Sequence, residues 1–109
     1  MIRVTIRHIR PEQEEKLRAW LAELNARSDE VRDTFRAETV RAEQAYIVPG
    51  STGPLFIYVM EAEDFERGSK TFAASLAKID VEHREVMRQC LGESLELNPL
   101  YDVALDAAP

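Results

Sequence analysis

The sequence predicts an α+β domain of the ferredoxin-like kind, a four-stranded antiparallel sheet with its helices on one face. Three observations carry this expectation. Segments of strand and helix period follow one another in the order strand, helix, strand, strand, helix, strand. The two central strand segments are joined by "PGSTGP", a tract of turn formers that reads as a hairpin loop. Right-handed crossovers then place every helix on the same side of the sheet. At 109 residues the chain is one domain, 1–109, with a single core.

Each element has its own justification. "IRVTIRHI" alternates, with Ile2, Val4 and Ile6 pointing one way and Arg3, Thr5 and Arg7 the other, the period of a strand buried on one face. Pro11 can open a helix where its missing N–H costs nothing, and Glu12, Glu14 and Glu15 suit the positive end of the dipole. Leu17, Leu21, Leu24, Ser28, Val31 and Phe35 recur at spacings of four and three, with Trp20 beside them. A long amphipathic helix is therefore expected over 11–36, weakened around Asn25 to Ser28. "TVRAEQAYIV" and "LFIYVMEA" are the hairpin strands, the second rich in β-branched and aromatic residues. "EDFERGSKTFAASLA" is helical, with Phe65, Phe72 and Leu76 on one side. Asp80 caps a last helix that stops at Gly92. "PLYDVAL" is expected as the fourth strand and "DAAP" as a frayed tail.

Composition excludes several classes of function. Fourteen basic against twenty acidic residues give a net charge of −6, with no basic patch for nucleic acid and no attraction for anionic lipid. No run of apolar residues is long enough for a membrane span, and the alternating N-terminus does not read as a signal peptide, so a cytoplasmic location is expected. The single Cys90 allows neither an intramolecular disulfide nor a thiolate metal cluster, and its place near a helix end suits a small buried hydrophobe.

Pairing the hairpin symmetrically about Gly50–Pro54 puts Ala45, Ile47, Leu55, Ile57 and Val59 under the helices. The opposite face then holds Gln44, Tyr46, Val48, Phe56, Tyr58 and Met60 beside Arg3, Thr5 and Arg7. A face so rich in aromatic residues suits a protein–protein interface, and a homodimer of two sheets packed face to face is expected.

The order of elements, the long helix after "IRP" and this mixed open face resemble the dimeric α/β-barrel superfamily. That superfamily includes small antibiotic-biosynthesis monooxygenases, sugar mutarotases, muconolactone isomerases and haem-degrading enzymes. "EQAYIV", "IYVMEAED", "IDVEHREVM" and "LYDV" are similar to a small family within it that carries only an unknown-function label. The resemblance covers nearly the whole chain and implies a ligand held between the sheet and the helices of each subunit. It does not imply one chemistry, because the fold hosts unrelated reactions.

Candidate chemistry centres on the last helix. His83 lies four residues after Ile79, three before Val86 and four before Met87, so it shares their apolar face. It is either a core histidine with satisfied nitrogens or an acid, base or ligand donor. On the symmetric register Glu43 and Glu61 oppose each other under the helices, with Cβ atoms about 4.5–5.5 Å apart. Two carboxyls that close cannot both ionise easily, which suits proton transfer. A slip of one residue would move one of them to the other face. His8 at the rim, Trp20 beside the helical stripe and Tyr101 next to Asp102 are candidate substrate contacts, each with a structural alternative. His83 with two glutamates lacks the second histidine of a facial triad, so no metal is expected. Haem, which some relatives hold through a histidine on the later helix, is matched here by position alone, and no cofactor is expected. "GSTG" is a turn and not a phosphate loop. The expected function is a cofactor-independent enzyme acting on a small, partly apolar metabolite by proton transfer: an isomerase, cyclase or lyase. The alternatives are an oxygenase of the antibiotic-biosynthesis or haem-dependent type, and a non-catalytic ligand-binding or structural dimer.

Overall fold

A computed structural model describes residues 1–106. Its elements are β1 (Ile2–Ile9), α1 (Glu14–Ala26), α2 (Ser28–Glu38), β2 (Val40–Val48), β3 (Leu55–Ala62), α3 (Phe65–Ala74), α4 (Lys78–Cys90) and β4 (Leu91–Leu95). The sheet has the order β2-β3-β1-β4 with every neighbouring pair antiparallel, which is the ferredoxin-like arrangement. No helix among the described residues is long and apolar enough to cross a membrane.

The long first helix is two helices. Arg27, at φ −107° and ψ 33°, breaks it between Asn25 and Ser28, two residues of weaker helix propensity. Its guanidinium closes the corner by reaching Glu30 at 2.8 Å and Glu82 of α4 at 2.7 Å. Pro11 does not open the helix. It shares a turn with Glu12, which lies at φ 66°, and α1 begins at Glu14. Asp64 caps α3 by accepting the N–H of Arg67 at 3.0 Å. Asp80 caps nothing: α4 starts two residues earlier, with Ala77 at the cap, and Asp80 turns inward from the first turn.

The fourth strand also lies elsewhere. The chain passes from α4 straight into β4 at Leu91, anchored by Arg10 N–H to Cys90 O at 2.8 Å and Arg10 Nε to Leu91 O at 2.9 Å. With that edge of β1 occupied, "PLYDVAL" runs without regular structure, and Tyr101 is 85% exposed. The expected frayed tail falls largely on 107–109, outside the described residues.

The hairpin closes with Val48 opposite Leu55 and Glu43 opposite Met60, one residue away from the symmetric pairing. Pro49 has no N–H to give the ladder, so the loop takes all of Pro49–Pro54, tightened by Gly53 N–H to Gly50 O at 3.3 Å. Gly53 sits at φ 131°, a conformation that favours glycine. A slip of one residue exchanges the faces of β3. β1 follows, with Thr5 opposite Tyr58 and Arg7 opposite Phe56. Phe56, Tyr58 and Met60 therefore lie under the helices with Thr5 and Arg7, not on the open face. The open face carries Ile2, Val4 and Ile6 with Leu55, Ile57 and Val59, and Tyr46 and Val48 from β2. The larger aromatics go where helices can enclose them: Phe56 is 3% exposed and packs with Ile9, Leu17, Cys90 and Leu91. Val40, Ala62 and Phe65 form a second cluster toward the other end of the sheet.

Candidate active site

Between these two apolar clusters the covered face is not filled. A cavity of about 300 Å³ lies there, floored by Thr5, Arg7, Glu43, Phe56, Tyr58 and Met60 of the sheet. α2 roofs it with Phe35 and Glu38, α3 with Phe72, and α4 with Asp80, His83 and Met87. A second depression beside it, reaching Asn25, Ser28 and Gln44, shares Leu24, Phe35, Tyr58 and His83.

Glu38 is the last residue of α2, and the chain around it is held tightly. Thr39 leaves the helix at φ 62°, a left-handed conformation rare for a β-branched residue. Its hydroxyl accepts from Asp64 N–H at 3.2 Å and its carbonyl from Glu63 N–H at 3.1 Å, which ties the end of α2 to the turn before α3. Gly68 lets α3 approach: a Cβ there would stand 2.6 Å from the Glu38 carbonyl oxygen. The Glu38 side chain is 5% exposed, and its Oε1 has no hydrogen-bond partner. Burial, then the charges of Asp80 and Glu43, push its carboxyl up to about 7.

Two further carboxyls share the cavity. Asp80 is 6% exposed. Glu43 is raised by burial, held back by the neighbouring Tyr58 hydroxyl, and raised again by Asp80. The Tyr58 phenol is itself pushed up, by burial first and then by Glu43. None of the ion pairs among the described residues involves Glu38, Glu43 or Asp80. Of these groups Glu38 is the one raised to near neutrality, and Glu43 is raised in the same direction.

His83 faces inward, as its spacing predicts, but its partner is not a carboxylate. Trp20 Nε1–H donates to His83 Nδ1 at 2.8 Å. An indole can only donate, so Nδ1 accepts, and the neutral ring carries its proton on Nε2. Burial pushes the imidazole down to about 4, against the opposing charge of Asp80. Phe72 packs edge-on against the ring, with centroids 5.7 Å apart. Nε2–H has no protein partner among the described residues and is the atom left for the cavity.

His83 and Glu43 thus meet in one cavity, while Glu61 does not join them. The slipped register puts Glu61 on the open face, opposite Ala42 and Ile2 and 4.0 Å from Arg41, so the Glu43–Glu61 pair does not form. Trp20 stands behind the imidazole and orients it, rather than walling the cavity. His8 lies on the open face opposite Leu55, and Tyr101 projects from the irregular segment; neither reaches the site. The residues that sequence reasoning missed are Glu38, Asp80, Tyr58, Arg7 and Thr5. A signal for two of them exists. Glu38 continues the stripe of Ser28, Val31 and Phe35 at the next spacing of three, and Asp80 stands three residues before His83. Among the described residues, no group of three or more His, Cys, Asp and Glu is arranged to hold a metal.

The arrangement can hold a proton at Glu38, accept one at Glu43 or Asp80, and donate a neutral hydrogen bond from His83. A sequence profile matching residues 1–107 places these residues in a known grouping. The chain belongs to DUF6176, a family of unknown function. The DUF6176 match spans every element that builds the cavity. No curated protein and no solved structure matches the chain.

Proposed function

We propose that the protein is a cofactor-independent enzyme that moves a proton on a small, partly apolar metabolite, as an isomerase, cyclase or lyase. The observation that carries this reading is Glu38, a buried carboxyl with a partnerless oxygen, facing an apolar cavity shared with a neutral histidine. An unpaired buried carboxyl lowers stability, which favours a role beyond packing. A group poised near neutrality serves equally as acid or base. In the proposed mechanism Glu38 and Glu43 exchange the proton with substrate carbon, and the Tyr58 hydroxyl sets the basicity of Glu43. His83 Nε2–H hydrogen-bonds the substrate oxygen on which negative charge develops, and a neutral imidazole can do this without giving up its proton. The test is exchange of carbon-bound hydrogen for deuterium in D2O, followed by proton NMR across a panel of small carbonyl compounds. Exchange lost in Glu38→Gln and His83→Ala, with their circular dichroism unchanged, supports the proposal. Exchange that survives both substitutions overturns it.

The same reading includes a homodimer of the dimeric α/β-barrel kind, with two open sheet faces packed together. Its support is the apolar surface left by the slipped register, where Ile2 is 71% exposed, Val4 45% and Tyr46 48%. A two-fold axis would bury this patch against its own copy. Leu97, Leu100, Val103 and Leu105 also stand exposed along the segment after β4, as residues awaiting a second surface would.

A further inference from the structure

The charges in the cavity are not scattered. Glu38, Glu43 and Asp80 gather at one end, where no lysine or arginine is paired with them, and Glu38 Oε1 is without any partner. Arg7 lies at the other. Its Nε donates to Gly92 O at 3.0 Å, which fixes the guanidinium and leaves its two Nη groups free of ion pairs among the described residues. Along β3, Arg7 is level with Phe56 and Glu43 with Met60, four residues further on. At the rise of an antiparallel strand, and with β3 lying between β1 and β2, their Cα atoms stand about 16 Å apart. Phe35, Phe72 and Met87 line the stretch between them.

We infer that the cavity takes a small ampholyte, with an ammonium group at the Glu38–Glu43–Asp80 end, a carboxylate at Arg7 and a short apolar chain between. This rests on the reading of the cavity as the active site and names its substrate class. A simple amine would leave the guanidinium unpaired, and a simple acid would leave three carboxyls crowded without a cation. The second costs more, because Glu38 and Asp80 are buried and Arg7 is only half-buried, so the amine forgoes a charge-assisted contact while the acid strands buried carboxyls. A cavity of about 300 Å³ accommodates a six-carbon chain with a charged group at each end.

Binding should depend on pH. Glu38 faces Asp80 and His83 from α4, Glu43 from β2 and Tyr58 from β3. Arg3 of β1, level with Met60 and Glu43, stacks over Phe65 and is in no ion pair among the described residues. Its carboxyl, raised to about 7, must ionise to meet an ammonium group. Binding therefore tightens from pH 5.5 to pH 8 and, near pH 7, releases a proton.

Isothermal titration calorimetry on the full chain with 6-aminohexanoate, hexylamine, hexanoate and hexan-1-ol tests the inference. The expected result at pH 8 is that 6-aminohexanoate binds at least tenfold more tightly than the other three. Glu38→Gln should then weaken it by roughly ten- to a hundredfold, the loss of one charge-assisted contact, and leave hexan-1-ol unchanged. Hexanoate or hexan-1-ol binding as tightly as 6-aminohexanoate overturns the ampholyte while leaving proton transfer on another substrate class standing. Hexylamine binding as tightly removes Arg7 from the site and overturns the inference in that form. No binding by any of the four overturns both this inference and the reading of the cavity as an active site. Should Glu38→Gln fail to fold, the ligand series on the unaltered protein still decides.

Discussion

Replacing Glu38 with Gln should stabilise the protein at pH 8 and leave its stability unchanged near pH 4. The Glu38 carboxyl is raised from 4.5 to about 7 in the folded chain. Between those values the native state holds a proton that the unfolded chain has released, so stability falls as pH rises through this window. That difference corresponds to about 3 kcal/mol above pH 7. Relaxation of the cavity and entry of water reduce the expected effect to about 2 kcal/mol. Gln keeps the shape and removes the charge, so the gain should be absent at pH 4, grow through pH 6 and level off above pH 7.

His83 sharpens this test because it works in the opposite sense. Its folded-state pKa of about 4 lies below the ordinary imidazole value of 6.5. The unfolded chain therefore binds the extra proton between these values, and stability rises with pH across that window. In the natural protein the two slopes largely cancel between about pH 4.5 and 6.5, with Glu43 adding to the carboxylate side. Glu38→Gln should remove the masking and expose a stability that climbs with pH. Urea unfolding followed by the fluorescence of the single, buried Trp20 at half-unit steps from pH 4 to 8.5 measures it. Parallel curves for the two proteins, or a variant no more stable at pH 8, would refute the burial and isolation of Glu38.

Three other outcomes follow from the geometry. Trp20→Phe removes the donor to His83 Nδ1 and should cost about 1–3 kcal/mol, with a coupling to His83→Leu of about 1 kcal/mol in a double-mutant cycle; additive effects within about 0.5 kcal/mol would mean the bond contributes nothing. Gly68→Ala brings a methyl group to 2.6 Å from the Glu38 carbonyl oxygen and should destabilise by about 1–3 kcal/mol by forcing α3 off α2, as urea unfolding would show. By light scattering at micromolar concentration, the natural chain should have twice its 12.4 kDa mass and Ile57→Lys the mass of one chain; a monomeric natural protein would overturn the sheet-to-sheet dimer.

Element order and type were legible in the sequence because they depend on local period and punctuation. The alternation of β1, the stripe of the first helices and the weak point near Asn25–Ser28 all appear in the structure. What local pattern could not supply was register. "LFIYVM" is apolar at every position, so neither of its faces announces itself as the inner one. The choice fell to the loop, where Pro49 ends the ladder one residue early, and that step carried Glu61 out of the site and Tyr58 into it. Asp80 was misassigned for a related reason: an acidic residue near a helix start suits a cap by type, and only tertiary packing shows that it turns inward. The fourth strand was missed because "PLYDVAL" has stronger strand propensity than "LGESL", while the short path out of α4 put the weaker segment beside β1 first.

The doubly apolar β3 links the site to the proposed assembly. A strand covered on one face only should alternate, and β2 does so, with Gln44 and Tyr46 outward and Ala45 and Ile47 inward. β3 does not: Phe56 and Tyr58 meet the helices, while Leu55, Ile57 and Val59 face the open side. β1 carries Ile2, Val4 and Ile6 outward and gives Thr5 and Arg7 to the cavity. A core-forming strand with polar side chains on its covered face leaves that face open to the proposed ligand, and holds its apolar side chains where a second sheet could cover them. Dimerisation would then supply stability that the hollow, charge-bearing interior withholds. The cavity itself is lined within a single chain, so the proposed chemistry and the proposed subunit contact lie on opposite faces of the same strands.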